Sequence, residues 1–199
     1  MTGKVFTPTD DQAWPAQGEW TYEDYLRLPD DGRRYEIIEG VLYMVNAPNY
    51  EHQFIVTQLL LQLGGFVQAQ NLGLVLTAPF EVHLSPASRP VQPDLVFIKA
   101  ASLPNENIAA FEGAPDLVVE VLSPASLRTD RHIKFDAYER AGIPEYWIIN
   151  PKTRSIEVYI LSGGEYALQG EFLSDDVITS QVLVGLKVVT AMLFPFPPN

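Results

Sequence analysis

The sequence predicts a mixed α/β (α+β) fold: a mixed β-sheet flanked by helices, with β-hairpins added at both ends. Three observations carry this. The 199 residues are 47% hydrophobic and 19% charged, the balance of a folded globular chain rather than a disordered one. Apolar periodicity runs in the central order helix, three strands, helix, strand. Turn signals at Glu39-Gly40 and Gly163-Gly164 split β-rich stretches on either side of that core. The length favours one domain, whose folding removes roughly 70% of the unfolded chain's surface from water.

Each element follows from local chemistry. Residues 1–20, polar and with Pro8 and Pro15, read as a mobile arm. Thr21 and Asp24 form a capping-box pattern that opens a short helix, TYEDYLRL, stopped by Pro29 and Gly32. RRYEIIEGVLYMV is a hairpin about Gly40. Asn49 caps a long helix to about Gln70, whose Phe54, Ile55, Leu59, Leu63, Phe66 and Val67 follow helical spacing. GLVLTAPFEVHLS, VQPDLVFIKA and APDLVVEVLS are three β-rich segments, with loops or a short helix over 100–113. DRHIKFDAYERA is helical and ends at Gly142; EYWIINP is a fourth strand. SIEVYIL and GEYAL form a further hairpin, and a last short strand falls near 182–189. The main domain is thus expected over 21–190, and 191–199 is a proline-locked tail that straps or frays.

Composition excludes several functions. With no cysteine there are no disulfides, thiolate metal sites, iron–sulfur clusters or cysteine nucleophiles. A net charge of −12 argues against a protein that coats nucleic acid through clustered Lys and Arg. No apolar run reaches the ~20 residues that span a bilayer, and no export signal is visible, so the cytoplasm is the expected location and no membrane is involved. Walker A, GxGxxG, HExxH and GxSxG motifs are all missing. His52, His83 and His132 are far apart without ligand spacing, and Ser123 has no recognisable base.

What remains is a set of acids on apolar strands. Asp94 opens DLVFI, and Glu120 lies within LVVEVL. A charged Glu is accepted in a buried strand only when paired, hydrogen-bonded or bound to a metal. Adjacent strands can bring these two carboxylates together, where a divalent cation relieves their repulsion. Oxygen ligands of this kind suit Mg²⁺ or Mn²⁺. The plainer reading has Glu120 satisfied by Arg131 or Lys134 and Asp94 acting as a strand cap.

The next helix supplies a cation. Asp130, Lys134 and Tyr138 fall at i, i+4 and i+8 on one face. A lysine there can hold an attacking hydroxide or neutralise a pentacovalent phosphorane; as an isolated helix it would show only a surface Asp–Lys pair. Residues 123–154 sum to +2 and the rest of the chain to −14, so positive charge is concentrated where an anionic substrate would approach, or where a helix face is simply solvated.

These segments together resemble the Uma-two family. YEIIEGVLYMV, EHQFIV, LTAPFEVHLS, VQPDLVFI, GAPDLVVEVLSPAS, the Asp130/Lys134/Tyr138 stripe and AGIPEYWIINP occur in its order across about 21–190. That family is similar to the restriction-endonuclease-like PD-(D/E)xK nucleases, so the resemblance implies that core fold. It also implies a metal-dependent endonuclease cutting DNA with Mg²⁺ or Mn²⁺. Asp94 matches the PD aspartate and Glu120 the acid of the (D/E)xK strand, with the Val121 carbonyl as a further metal ligand. The xK lysine position is Leu122, and the resemblance assigns its role to Lys134. Asp116, four residues before Glu120, reads as a strand-entry residue.

Glu39, before Gly40, matches an acidic family position and is a third catalytic candidate beside Glu36, although acids are common in such turns. His52 matches a family histidine and is a candidate phosphate contact, as are Arg131 and Tyr138; helix capping explains His52 about equally. The rival reading is a catalytically inactive nuclease-fold binding or assembly module, which Leu122 and the acidic charge favour. Exposed hairpin edges and apolar terminal segments predict a homodimer or higher homo-oligomer.

Overall fold

The computed structural model describes residues 4–5, 14–45, 47–104, 109–123 and 129–195. Its centre is a six-stranded mixed sheet in the order β11-β10-β9-β8-β6-β4. These strands are β4 (Gly73–Thr77), β6 (Leu95–Lys99), β8 (Leu117–Val121), β9 (Glu145–Asn150), β10 (Ser155–Ser162) and β11 (Glu165–Phe172). Only β8 and β9 run parallel; the other neighbours are antiparallel. A parallel pair needs a crossover, and here a π-helical turn (Thr129–Lys134) leading into α4 (Phe135–Ala141) supplies it. Gly142 ends that helix in the left-handed conformation, φ +83°, which glycine adopts without a Cβ penalty.

The long helix keeps its sequence-predicted span but not its regularity. Asn49 caps α2 (Tyr50–Leu59) by accepting the His52 backbone N–H. A π-helical turn over Leu60–Gly64 then leads into α3 (Gly65–Ala69). Ile55, Leu59, Leu63 and Val67 are buried against Leu95, Phe97, Leu117, Val119, Trp147 and Ile149 on one face of the sheet. Each fully buried side chain of this size contributes about 1.5–3 kcal/mol. α4 covers the opposite face with Ala137 and Tyr138, against Val96, Val118, Tyr146 and Ile148.

The hairpin about Gly40 is present as β2 (Arg34–Ile38) and β3 (Val41–Val45), and β1 (Lys4–Val5) adds to β3. Residues 14–20 do not stand off as an arm. Trp20 is buried and stacks on Trp14 at 5.5 Å, and the Gly18 and Trp20 N–H groups donate to the Gly40 carbonyl. The approach is so close that a Cβ on Gly40, at φ +68°, would run into the Gly18 backbone.

Two expected strands are rearranged. GLVLTAPFEVHLS is two elements, interrupted between Thr77 and Glu81. Its second half, β5 (Glu81–His83), leaves the main sheet to pair in parallel with β7 (Ala110–Glu112), inside the stretch expected to be loops or a short helix; a short helical turn is present at Ala100–Ser102. Instead of one strand near 182–189 there is a small hairpin of β12 (Val177–Thr179) and β13 (Lys187–Val189). Leu193 and Phe194 pack into the core; the end of the proline tail, 196–199, lies outside the described residues.

Candidate active site

The register of the sheet builds the site. β6 and β8 pair Leu95 with Val119 and Val96 with Val118, so Asp94, one residue before β6, lies across from Glu120. Asp94 Oδ2 accepts the Val121 backbone N–H at 2.8 Å and a hydrogen bond from His52 Nε2 at 3.0 Å. His52 lies in the first turn of α2, so the Asn49 cap also fixes where its imidazole can reach. The bond to Asp94 is additional to that backbone capping.

Strand alternation points Val118, Glu120 and Leu122 toward α4. Glu120 Oε1 accepts from Lys134 Nζ at 2.9 Å and from the Tyr138 hydroxyl at 2.6 Å. Lys134 and Tyr138 are one turn apart, and the π-helical turn ends at Lys134; such turns recur at functional sites. Lys134 Nζ also lies 3.1 Å from Glu36 Oε1 on β2, and that oxygen accepts the Gln92 N–H at 2.6 Å. The side chains of Glu120, Glu36 and Lys134 are 3%, 4% and 6% exposed, whereas Asp94 is 19% exposed. Two buried carboxylates thus share one buried ammonium, and the second strand acid stands at the solvent side of the group.

A family model described as "Uma2: Putative restriction endonuclease" matches residues 22–192. The chain belongs to the Uma2 family. No curated protein matches it. Among solved structures it is similar to "a putative nuclease belonging to DUF820 from Anabaena variabilis ATCC 29413", with a TM-score of 0.74 and 21% identity. That likeness covers 87% of this chain and 97% of the other. It shows a shared fold, in agreement with the predicted mixed sheet.

The Uma2 chain gathers Glu120, Lys134 and Tyr138 in one set and Asp94, His52 and the Val121 N–H in a second, and the β6–β8 register sets the two side by side. Glu39 and Arg131 go elsewhere. Glu39, with φ +52°, turns outward, where Oε1 accepts from Ser88 Oγ and pairs with Arg140 at 3.2 Å. Glu36, three residues earlier and facing inward, is the acid on Lys134. Its sequence signal was the one that marked Glu120: a charged residue flanked by apolar neighbours inside a strand. Arg131 places both NH groups on Glu157 of β10, at 2.6 and 3.0 Å. Burial opposes ionisation of Glu157, but hydrogen bonds from Arg131 and Tyr159 prevail and hold its carboxyl below the usual range. Burial first, and then the Glu157 carboxylate, push the Tyr159 phenol up to about 12.

Half of the six basic residues in 123–154 are committed: Arg131, Lys134 and Arg140 each meet an acid. Arg128 and the Asp130 side chain lie outside the described residues. Asp116 accepts the Lys99 N–H and pairs with its ammonium, at the mouth of β8. Leu122 is buried in the apolar cluster under α4.

The donor chemistry suits a hard divalent cation. Asp94 Oδ1 has no hydrogen-bond partner among the described residues and belongs to the most exposed carboxylate of the group. No three His, Asp or Glu side chains among the described residues converge as a cage. Mg²⁺ does not need one, since it is commonly bound through one or two carboxylates and keeps several waters. Among the described residues no helix is long and apolar enough to cross a membrane.

Proposed function

We propose that this Uma2 chain is a cytoplasmic, Mg²⁺-dependent endonuclease that hydrolyses phosphodiester bonds of DNA, acting as a homodimer or higher homo-oligomer. The observation that carries the reading is the buried Glu120–Lys134 pair on β8, with Asp94 of the neighbouring strand end bonded to the N–H of the next residue, Val121. Asp94, Glu120 and the Val121 carbonyl would hold the cation, which supplies charge neutralisation at phosphate and activation of water.

The chain's own residues divide the remaining work. The Val121 N–H and His52 Nε2 fix the Asp94 carboxylate, leaving its second oxygen free to coordinate. Tyr138 and Lys134 orient Glu120. Lys134 places a positive charge beside the reacting phosphate, where it stabilises the charge that builds as water attacks phosphorus. The bond from phosphorus to the leaving sugar oxygen breaks, and that oxygen takes up a proton. Glu36 is a positioning residue that sets where the ammonium sits. Substrate approaches from the Asp94 side, the exposed end of the group.

Two observations favour a second reading, an inactive nuclease-fold binding or assembly module. Leu122 stands where the PD-(D/E)xK pattern has lysine, and Lys134 is engaged by two buried carboxylates. Cleavage of plasmid and single-stranded DNA by wild type and Glu120→Ala, with Mg²⁺ or Mn²⁺, separates the two. Cleavage by the wild type alone supports the nuclease. Equal cleavage by both proteins, or none by either on both substrates, rejects it.

A further inference from the structure

The run from Gln53 to Phe80 holds 28 residues without one Asp, Glu, Lys, Arg or His. It is the longest uncharged stretch of a chain whose net charge is −12. It is not buried as a unit. Gln53, Thr57, Leu60, Leu61, Gln68, Gln70, Asn71 and Leu74 are exposed, with Leu61 at 63% and Leu74 at 47%. Helix residues 53–69 therefore present an uncharged surface roughly 25 Å long at the α-helical rise, and β4 lies beside it as an uncharged edge, with Val75 on the helix side of the sheet and Leu74 on the other.

That face ends in an open sheet edge. β4 is the last strand, with β6 on its inner side. The Ala100 N–H donates to the Leu72 carbonyl and the Ala78 N–H to the Asp94 carbonyl. Antiparallel alternation between those two bonds directs the N–H and C=O groups of Gly73, Val75 and Thr77 outward, and no described residue takes them up. Beside this edge lies a groove of about 500 Å³ between Leu60, Leu61, Gly64 and Val67 on the helix and Leu74 and Val75 on the strand. The opposite edge of the sheet, β11, carries Glu165 and Glu171, and edge charges of this kind discourage pairing. β4 has no such guard.

We propose that two copies of this chain associate through this face about a two-fold axis, pairing β4 antiparallel with its copy. Three features select a second copy as the occupant. A two-fold interface lays a patch on itself, so between two chains of −12 a patch without charge brings no like charges together. The outward residues Gly73, Val75 and Thr77 are centred on Val75, so an axis there matches Gly73 of one copy with Thr77 of the other, donor to acceptor. The same axis lays the two helices' exposed leucines beside the partner's groove. An unrelated strand could use the free hydrogen bonds, but the neutrality of the whole helix face would then have no purpose.

Sedimentation velocity of the full chain across a concentration series tests this, on wild type, Leu74→Glu and Leu61→Glu. The wild type is expected to dimerise. Each variant is expected to dissociate, with affinity lowered roughly a hundredfold because two like charges are forced together, and with its far-UV circular dichroism unchanged. An equimolar mixture of Leu74→Glu and Leu74→Lys is expected to regain the dimer. A wild type that stays monomeric throughout, or retention of the dimer by either folded variant, overturns the proposal. If Leu74→Glu fails to fold, Leu61→Glu on the exposed helix surface decides alone.

Discussion

Glu36 Oε1 lies 3.1 Å from Lys134 Nζ, in an ion pair whose two side chains are almost completely buried. Glu120 holds the same ammonium at 2.9 Å from the opposite element. β2, β8 and the start of α4 are therefore tied at one point.

Removing that cation leaves two carboxylates facing each other out of water. Lys134→Met is expected to lower stability by about 3–5 kcal/mol, the cost of breaking a buried pair from one side. Adding Glu36→Gln to it should recover part of the loss, because the repulsion is relieved. Urea unfolding of the three variants measures the coupling. Mn²⁺ should also raise the melting temperature of Lys134→Met more than that of the wild type, since ligand affinity for the native state adds to stability. An equal shift in both would show that Lys134 and the metal do not share these acids.

Glu36 and Glu39 should separate cleanly by substitution. Glu36→Gln removes one charge from the buried group and is expected to abolish most DNA cleavage while costing about 1–3 kcal/mol of stability. Glu39→Gln, on a half-exposed carboxylate paired at the surface, should change stability by roughly 0.5 kcal/mol or less and leave cleavage near wild type. A nuclease assay with thermal denaturation on both variants checks this; the reverse order would return the catalytic role to Glu39.

The Arg131–Glu157–Tyr159 group makes the fold sensitive at both ends of the pH scale. Glu157 is lowered in the native state from an unperturbed value of 4.5. Its contribution is fully present above that value and drains away as pH falls through the lower native one. Tyr159 is raised from 10.0 to about 12, so its contribution holds below 10 and is lost as pH climbs through about 12. Stability of Glu157→Gln measured from pH 3 to 6 should show a shallower acid limb than the wild type. An unchanged slope would contradict the assignment.

Glu145 is fully buried and meets no cation among the described residues, yet it is well supplied with donors. Trp147 Nε1 donates to Oε1, while Ser180 Oγ and the backbone N–H groups of Gln181 and Val182 donate to Oε2. It fastens the loop between β12 and β13 to the start of β9. Glu145→Gln turns an acceptor into a donor facing other donors, at an expected cost of about 1–3 kcal/mol. Hydrogen exchange should speed up at 180–183, whereas unchanged protection there would mean the loop is held by apolar packing alone.

Much of this molecule follows from short-range chemistry. The Thr21–Asp24 capping box forms as the spacing demands, Asn49 caps the long helix, and the Gly40 and Gly163-Gly164 turns fold their hairpins. Lys134 and Tyr138, one turn apart, both reach Glu120. What local pattern did not disclose depended on contacts between distant segments. β5 pairs with β7, a segment nearly thirty residues further along the chain. Arg131 finds Glu157 on a strand formed much later in the sequence.

The sequence by itself determined the class of fold, the order of its central elements and the two strand acids, Asp94 and Glu120. Periodicity and the cost of burying a charge are properties of each segment alone. Only the tertiary structure decided that Glu36 rather than Glu39 meets the lysine. Neighbouring acids in one hairpin face opposite ways, and which side is the interior depends on what packs against it. The same reason separates the two edges of the sheet. Whether a neutral strand such as GLVLT lies in the middle or at the rim is settled by its neighbours, and here it is left at the rim.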